Sequence, residues 1–384
     1  NHAKSKDYTK RFPPMDPLTT DYQLLRPSEA SREGGPATNF KRPWYKRPVF
    51  YIFLIIALAV GYYGYQFGLA YNTITIENDS SQSLWSRIAG IFDDNKINEV
   101  PDPNPMPQSE TNRLDVLLLG IRGENEEAIE KGGGLLTDTI IVASIDKITK
   151  KTAIISIPRD LYIEMYAQAP NDKNIKLKGK INEVYERGLE NGGGLALAKQ
   201  IVSRITGIYI DNAIVFDFNA FKEIVNNLGG IDVRLSKAFE EKNQWGYEFS
   251  LPAGDNHLDG EQALYYVRSR YSTSDFDRAR RQQEVISIIK NKAFALGVLS
   301  NPIKITSLLS DLKGNIRTDF QIWNIKDLLT LANSFDNKAT AKNYVITTEN
   351  LVYETKTEKG EYILLPKEAN YQGIKNLFGN ILVQ

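Results

Sequence analysis

The stretch YYVRSRYSTSDFDRARRQQ, residues 265–283, holds five arginines and two aspartates in nineteen positions. A solvated helix face usually mixes Lys with Glu at helical spacing. Here every cation is Arg, whose planar guanidinium grips phosphate or carboxylate in bidentate fashion. Arg278, Arg281 and Gln282 stand at i, i+3 and i+4, which places them on one helix face; Arg280 differs in phase and is expected to face solvent. Other charged residues fall at expected strand ends. Asp138 opens DTIIVASI, and Arg159 with Asp160 follows IISIP. Arginines with one or two carboxylates suit a phosphate or pyrophosphate ligand, and the carboxylates could hold a divalent cation through oxygen. Helix N-terminal amides at DRARRQQEV would add to an anion site. Plainer readings stand beside these: Arg159–Asp160 as a structural ion pair, Asp275 as an N-cap, and SRYSTSD as a surface loop.

Composition narrows the chemistry. The 384 residues carry zero formal net charge, so any polyanion must be bound by a local patch, and nothing points to nucleic acid. The absence of cysteine excludes disulfides and thiolate metal sites. Of the two histidines, only His257 could serve a Ser-His-Asp type of mechanism, and its setting in GDNHLDG reads as a turn. KGGGL and NGGGL lack the Lys-Ser/Thr ending of a phosphate loop and read as loop glycines.

The elements that must position these residues begin with a membrane anchor. Residues 49–71 contain no charged side chain, enough to span ~30 Å of hydrocarbon as a helix. Trp44, Tyr45, Tyr62, Tyr63 and Tyr71 flank the run like interfacial belts, and Lys41, Arg42, Lys46 and Arg47 precede it. The expectation is a single-pass type II protein of the plasma membrane: a disordered cytoplasmic tail at 1–47, an anchor at 48–71, a Pro-rich stalk at 72–112, and an extracytoplasmic domain at 113–384. Residue 1 is Asn, as expected of a chain whose true start lies upstream. From Arg113 the pattern is α/β. LDVLLLGI, DTIIVASI, TAIISI, NAIVFDF and IDVRL read as strands, with DKITKK as a hairpin turn. GLALAKQIVSRITG, NAFKEIVNNLGG, DGEQALYYVRSR and DRARRQQEVISIIKNKAFALG read as helices, Asp259 capping the third. IWNIKDLLTLANSF reads as a further helix, and NYVITTE and EYILLP as strands of the same domain. A sheet covered by helices is the expected architecture.

RLDVLLLGI, LTDTIIVASIDKITKKTAIISIPRDLYI, KINEVYERG, VFDFNAFKEIVNNLGGIDV, LDGEQALYYVRSR and DFDRARRQQEVI occur in this order. Together they resemble the LytR-CpsA-Psr family of cell-wall ligases, from about residue 113 to 297 and more loosely to the C-terminus. The resemblance implies an α/β domain with a central mixed β-sheet flanked by helices on both faces. It also implies transfer of a glycan from a polyprenyl-pyrophosphate carrier to a peptidoglycan hydroxyl, through a phosphodiester. Carried over motif by motif, Arg159, Arg268, Arg270, Arg278 and Gln282 would bind the pyrophosphate. Asp138 would ligate Mg²⁺ and help activate the acceptor hydroxyl. Arg122, Asp160, Asp275 and Arg281 are the further candidates for substrate binding. Two departures bear on the metal: Arg122 stands near a position where many members have an acidic residue, and Leu136 where many have Arg. Glu124 could replace the missing carboxylate. Hydrolysis of the same lipid-linked glycan, and non-catalytic binding of anionic polymer, are the competing readings.

Overall fold

The computed structural model describes residues 62, 104–123, 133–168, 174–242, 244, 246–270, 273–297, 311–312, 314–320 and 341–383. The tail at 1–47, the anchor at 48–71 apart from Tyr62, most of the stalk, Glu124 and the helix expected at 322–335 lie outside these residues. Among the described residues no helix is long and apolar enough to cross a membrane.

The apolar runs form the strands that the sequence predicts. β1 (Arg113–Gly120), β2 (Thr139–Asp146) and β3 (Thr152–Ser156) make an antiparallel meander, with Gly120 opposite Thr139 and Ile141 opposite Ser156. The β2–β3 turn closes because the Asp146 carboxylate accepts the N–H groups of Ile148 and Thr149 at 2.8 and 2.9 Å. A hairpin of β4 (Tyr162–Gln168) and β5 (Asn174–Lys180) follows, then α1 (Val184–Glu190) and α2 (Gly194–Thr206). β6 (Asn212–Phe216) returns parallel to β1, and α3 (Phe218–Asn227) leaves from its end. β7 (Ile231–Leu235), β8 (Phe239–Glu241), β9 (Phe249–Leu251) and β10 (Gly254–Leu258) form two small ribbons that lead into α4 (Gly260–Arg268) and α5 (Asp275–Ala295). The chain ends with β11 (Ile316–Thr318), β12 (Lys342–Val345), the hairpin β13 (Val352–Lys356) and β14 (Tyr362–Pro366), and α6 (Gln372–Asn380).

The main sheet has the order β11-β6-β1-β2-β3-β12 and is mixed: β6 runs parallel to β1 and β12 parallel to β3, while the β1–β2, β2–β3 and β6–β11 pairs are antiparallel. Its central strands are buried on both faces, as continuous apolar runs require. Leu117 and Ile155 pack in one core with Ile201 and Ile205 of α2 and Phe378 of α6. Leu114, Val116 and Ile145 pack with Phe320 in another. A third core joins α3, α4, α5, β7 and β10 through Val225, Ile231, Leu258, Ala263 and Val285.

Three local features sharpen or correct the sequence reading. Asp259 caps α4 in a reciprocal box: its carboxylate accepts the Gln262 N–H at 2.8 Å, and the Gln262 side chain accepts the Asp259 N–H at 3.2 Å. His257 is a strand residue rather than a turn residue, paired across the ribbon with Asp232, whose carboxylate lies 2.7 Å from Nδ1. The domain edge also reaches back before β1. Asn104, inside the Pro-rich stretch, is buried and accepts a hydrogen bond from Lys375 of α6 at 2.8 Å.

α3 and α4 cross closely at Gly260, whose N–H donates to the Asn226 side chain at 2.8 Å. A Cβ there would sit 2.4 Å from the carbonyl oxygen of Lys222, a backbone atom that cannot swing aside. Gly260→Ala should therefore destabilise the protein by about 1–3 kcal/mol, read as a fall of several degrees in Tm.

Candidate active site

Three turns meet at one end of the sheet. Asp138, just before β2, donates its N–H to the carbonyl of Gly120 at the end of β1 at 2.9 Å. Thr137 donates its N–H to the Asn182 carbonyl at 3.0 Å, and Asn182 donates its own N–H to the Arg159 carbonyl at 3.3 Å. Backbone bonds thus fasten the TDT, PRD and INE segments together before any side chain acts.

Arg159 occupies their centre. Its Nη1 lies 2.5 Å from Asp138 Oδ1, and its Nε lies 3.2 Å from Asp275 Oδ2 and 3.5 Å from Asp160 Oδ2. Burial works against its charge, but the carboxylates of Asp138, Asp275 and Asp160 outweigh that and hold the guanidinium firmly protonated. The plain ion pair with Asp160 is therefore only part of its surroundings. Asp160 has a closer partner in Lys180 Nζ, at 2.6 Å. Asp275 is not spent on capping: Ser274 and Asp277 exchange the hydrogen bonds that start α5, and Asp275 pairs instead with Arg159 and, at 3.2 Å, with Arg278. Arg278 also reaches the Asp138 carbonyl at 3.4 Å.

Beside this cluster lies a cavity of 340 Å³. Arg122, Arg159, Arg268, Arg270, Arg278, Gln282 and Asp138 line it, and most of the remaining wall is apolar, including Phe216, Phe221, Ile224, Leu264, Ile286 and Ile289. Arg268 stacks its guanidinium 4.0 Å above the Phe218 ring. Burial, and next the nearby charge of Arg122, pull the Arg268 pKa down to about 10. Burial also lowers that of Arg278, against the opposing pull of Asp275. Cations crowded in this way gain from an anion that restores what desolvation removed. Asn182, which the sequence reading did not single out, lines the same cavity; its buried side-chain oxygen has no hydrogen-bond partner among the described residues.

The structure gives Arg281 a different place from its helix-face companions. It lines neither this cavity nor the one next to it. Its Nε donates to the Tyr266 carbonyl at 2.9 Å, Nη1 and Nη2 donate to Thr273 Oγ1 at 3.1 Å, and Nη2 also reaches the Ser269 carbonyl. Arg281 thus positions the α4–α5 connection from outside both cavities. Two residues missed from sequence share that work. Gln244 donates to the Arg268 carbonyl at 3.1 Å and accepts the Arg270 N–H at 2.7 Å, and the buried Glu241 accepts the Ser269 hydroxyl at 2.5 Å. Arg280, as its phase predicts, is exposed and pairs with Asp277 at 2.7 Å.

A second cavity, of 430 Å³, shares Asp138, Arg159, Arg278 and Gln282 with the first and adds Asp160, Asp275, Glu354 and Tyr362. Among the described residues no group of three or more His, Cys, Asp or Glu side chains could hold a metal ion. Asp217 lines the first cavity, but its carboxylate caps α3, accepting the Ala220 N–H at 2.8 Å. Asp138 is the one carboxylate named from sequence that lines both cavities.

One cavity thus combines five arginines with a largely apolar wall. Comparison with known proteins makes the class specific. The chain belongs to the LytR_cpsA_psr family, which it matches over residues 80–378. It is 34% identical over 217 residues to the Enterococcus faecalis polyisoprenyl-teichoic acid–peptidoglycan teichoic acid transferase TagU, covering 56% of this chain and 64%, less than two thirds, of that protein. It is 30% identical over 277 residues to the Oceanobacillus iheyensis protein of the same name, covering 69% of this chain and 78% of that protein. Among solved structures, Bacillus subtilis TagV is 25% identical with a TM-score of 0.53, over 71% of this chain and 98% of that one. A Streptococcus agalactiae protein, 24% identical with a TM-score of 0.58 over 71% and 89% of the two chains, shares the fold.

Arg281→Lys keeps a charge but cannot span the carbonyls of Tyr266 and Ser269 together. It should cost about 2 kcal/mol in thermal denaturation, whereas Arg280→Ala should leave Tm almost unchanged. Equal melting of the two variants would contradict the positioning role of Arg281.

Proposed function

We propose that the protein transfers a glycopolymer from a polyprenyl-pyrophosphate carrier to a hydroxyl of peptidoglycan, forming a phosphodiester. The observation that carries this reading is the pairing of an arginine cluster with an apolar cavity: the cations fit the pyrophosphate, and the aromatic and aliphatic wall fits the first part of the polyprenyl chain. The curated relatives named above are transferases of this kind.

In this reading the acceptor oxygen attacks the phosphorus that bears the glycan. The new bond joins that phosphorus to the acceptor oxygen, the bond to the bridging oxygen of the pyrophosphate breaks, and polyprenyl phosphate leaves. Asp138 takes the hydroxyl proton. Arg268, Arg270 and Arg278 hold the pyrophosphate oxygens and stabilise the charge that develops on the transferring group, the main demand in phosphoryl transfer. Arg159 fixes the Asp138 carboxylate through its 2.5 Å contact and faces the same cavity. Mg²⁺, held by Asp138, would neutralise phosphate charge. Residues 48–71 would keep the cavity close to the membrane that carries the lipid.

The test incubates the full chain with a polyprenyl-pyrophosphoryl disaccharide, Mg²⁺ and a peptidoglycan oligomer, and follows the products by mass spectrometry. A glycan-phosphate-peptidoglycan adduct is expected, with Arg159→Ala and Arg268→Ala each slowing its formation at least ~100-fold without unfolding the domain. Phosphorylated glycan released without adduct would make the protein a hydrolase, and lipid retention without turnover would make it a binding protein. Chelation by EDTA should lower the rate and added Mg²⁺ restore it; a chelator-insensitive rate would remove the metal from the mechanism.

A further inference from the structure

The two cavities share a wall but differ in charge. The first has five arginines against Asp138 and the capping carboxylate of Asp217. The second adds the carboxylates of Asp160, Asp275 and Glu354 to the shared Asp138, and its only arginines are the shared Arg159 and Arg278, each facing carboxylates. A polyanionic donor is drawn to one chamber and repelled from the other. The second chamber suits a neutral ligand rich in hydroxyl groups, which can donate to carboxylates while its C–H faces lie on the rings of Phe276 and Tyr362.

Its outer side is built by the C-terminal hairpin. β14 docks on the PRD turn through the Leu364 N–H, which donates to the Asp160 carbonyl at 2.9 Å, and through the pairing of Leu161 with Leu364. That docking brings Glu354 and Tyr362, diagonal neighbours across the hairpin, to the rim. Tyr362 is 42% exposed, and Glu354 is exposed beside it. Arg278, only 7% exposed, lines both chambers, and its Nε has no hydrogen-bond partner among the described residues. A polar group buried at that cost points to a ligand at the shared wall.

We propose that the second cavity is the acceptor subsite, binding a neutral glycan segment through Glu354 and Tyr362 and presenting its hydroxyl to Asp138 across the shared wall. The proposal rests on the transferase reading above. In-line displacement needs the attacking and leaving oxygens on different sides of the phosphorus, and two chambers meeting at Asp138 and Arg278 supply separate approaches for acceptor and donor.

The test measures initial rates of the full chain against both substrates, with a polyprenyl-pyrophosphoryl disaccharide as donor and, as acceptor, a peptidoglycan tetrasaccharide whose lactyl carboxyls are capped as amides. Glu354→Gln and Tyr362→Ala should each raise the acceptor KM roughly tenfold while donor KM changes by less than about twofold. Both positions are on an exposed rim, so folding is not at stake. An unchanged acceptor KM overturns the proposal. So does an equal rise in donor KM, which would place the donor's own glycan in this chamber. If the unaltered chain forms no adduct, the transferase reading fails by itself. The subsite is then decided by saturation-transfer NMR with the tetrasaccharide alone: signal lost in Tyr362→Ala upholds it, and no signal with the unaltered chain sinks it.

Discussion

Guanidinium groups gathered around one cavity repel each other, and each has surrendered part of its hydration. The fold answers with two devices. Carboxylates on three sides neutralise Arg159 at the centre. Hydrogen bonds secure the segment that carries Arg268 and Arg270: Arg281 grips the Tyr266 and Ser269 carbonyls, Gln244 bonds the Arg268 carbonyl and the Arg270 N–H, and Glu241 accepts the Ser269 hydroxyl. Burial and the charge of Arg122 lower the Arg268 pKa to about 10, and Phe218 supports its guanidinium through its ring face.

The mixed sheet makes this placement rigid. β1, β2 and β3 end where their backbone bonds pin the turns bearing Asp138, Arg159 and Asn182. Among the ties of α5 to the same sheet, the Gln283 amide donates to Ser156 Oγ at 2.7 Å and to the Tyr344 carbonyl at 2.8 Å, bridging β3 and β12. Arg278 and Gln282 inherit their positions from that anchorage. An amide buried across two strands is a specific lock, since any slip of the helix would leave its donors unsatisfied.

Most strands and helices of the core were legible in the sequence, because long apolar runs and clear caps encode them locally. Asp259 announced α4, and the β-branched runs announced β2 and β3. The β4–β5 hairpin carries the same period of two: Ile163 and Met165 are buried on either side of the exposed Glu164, and Lys176 and Lys178 are exposed on either side of the buried Leu177, yet the charged composition of NIKLKGK concealed a strand. Helical phase correctly put Arg278 and Gln282 together but could not show that Arg281 bends toward the preceding connection, since Tyr266, Ser269 and Thr273 meet it only after α4 and α5 have packed. Gln244 and Asn182 gave no local sign, because their roles exist only where distant turns come together. His257 was mistaken for a turn residue because Gly254 and Asp255 look like one; the ladder with β7 was the stronger influence.

The parallel pairing of β12 with β3 also sets an order on how the protein can mature. β3 is made early, yet its outer edge is covered only when Lys342–Val345 arrives, after most of the domain has been synthesised. Until then a short strand with an apolar centre, Ala153 to Ile155, presents unpaired amides and carbonyls to whatever chain lies nearby. A ribosome stalled, or a protease cutting, before residue 341 would leave that edge bare. The truncated species would then be prone to strand-to-strand aggregation, rather than being a smaller version of the same protein.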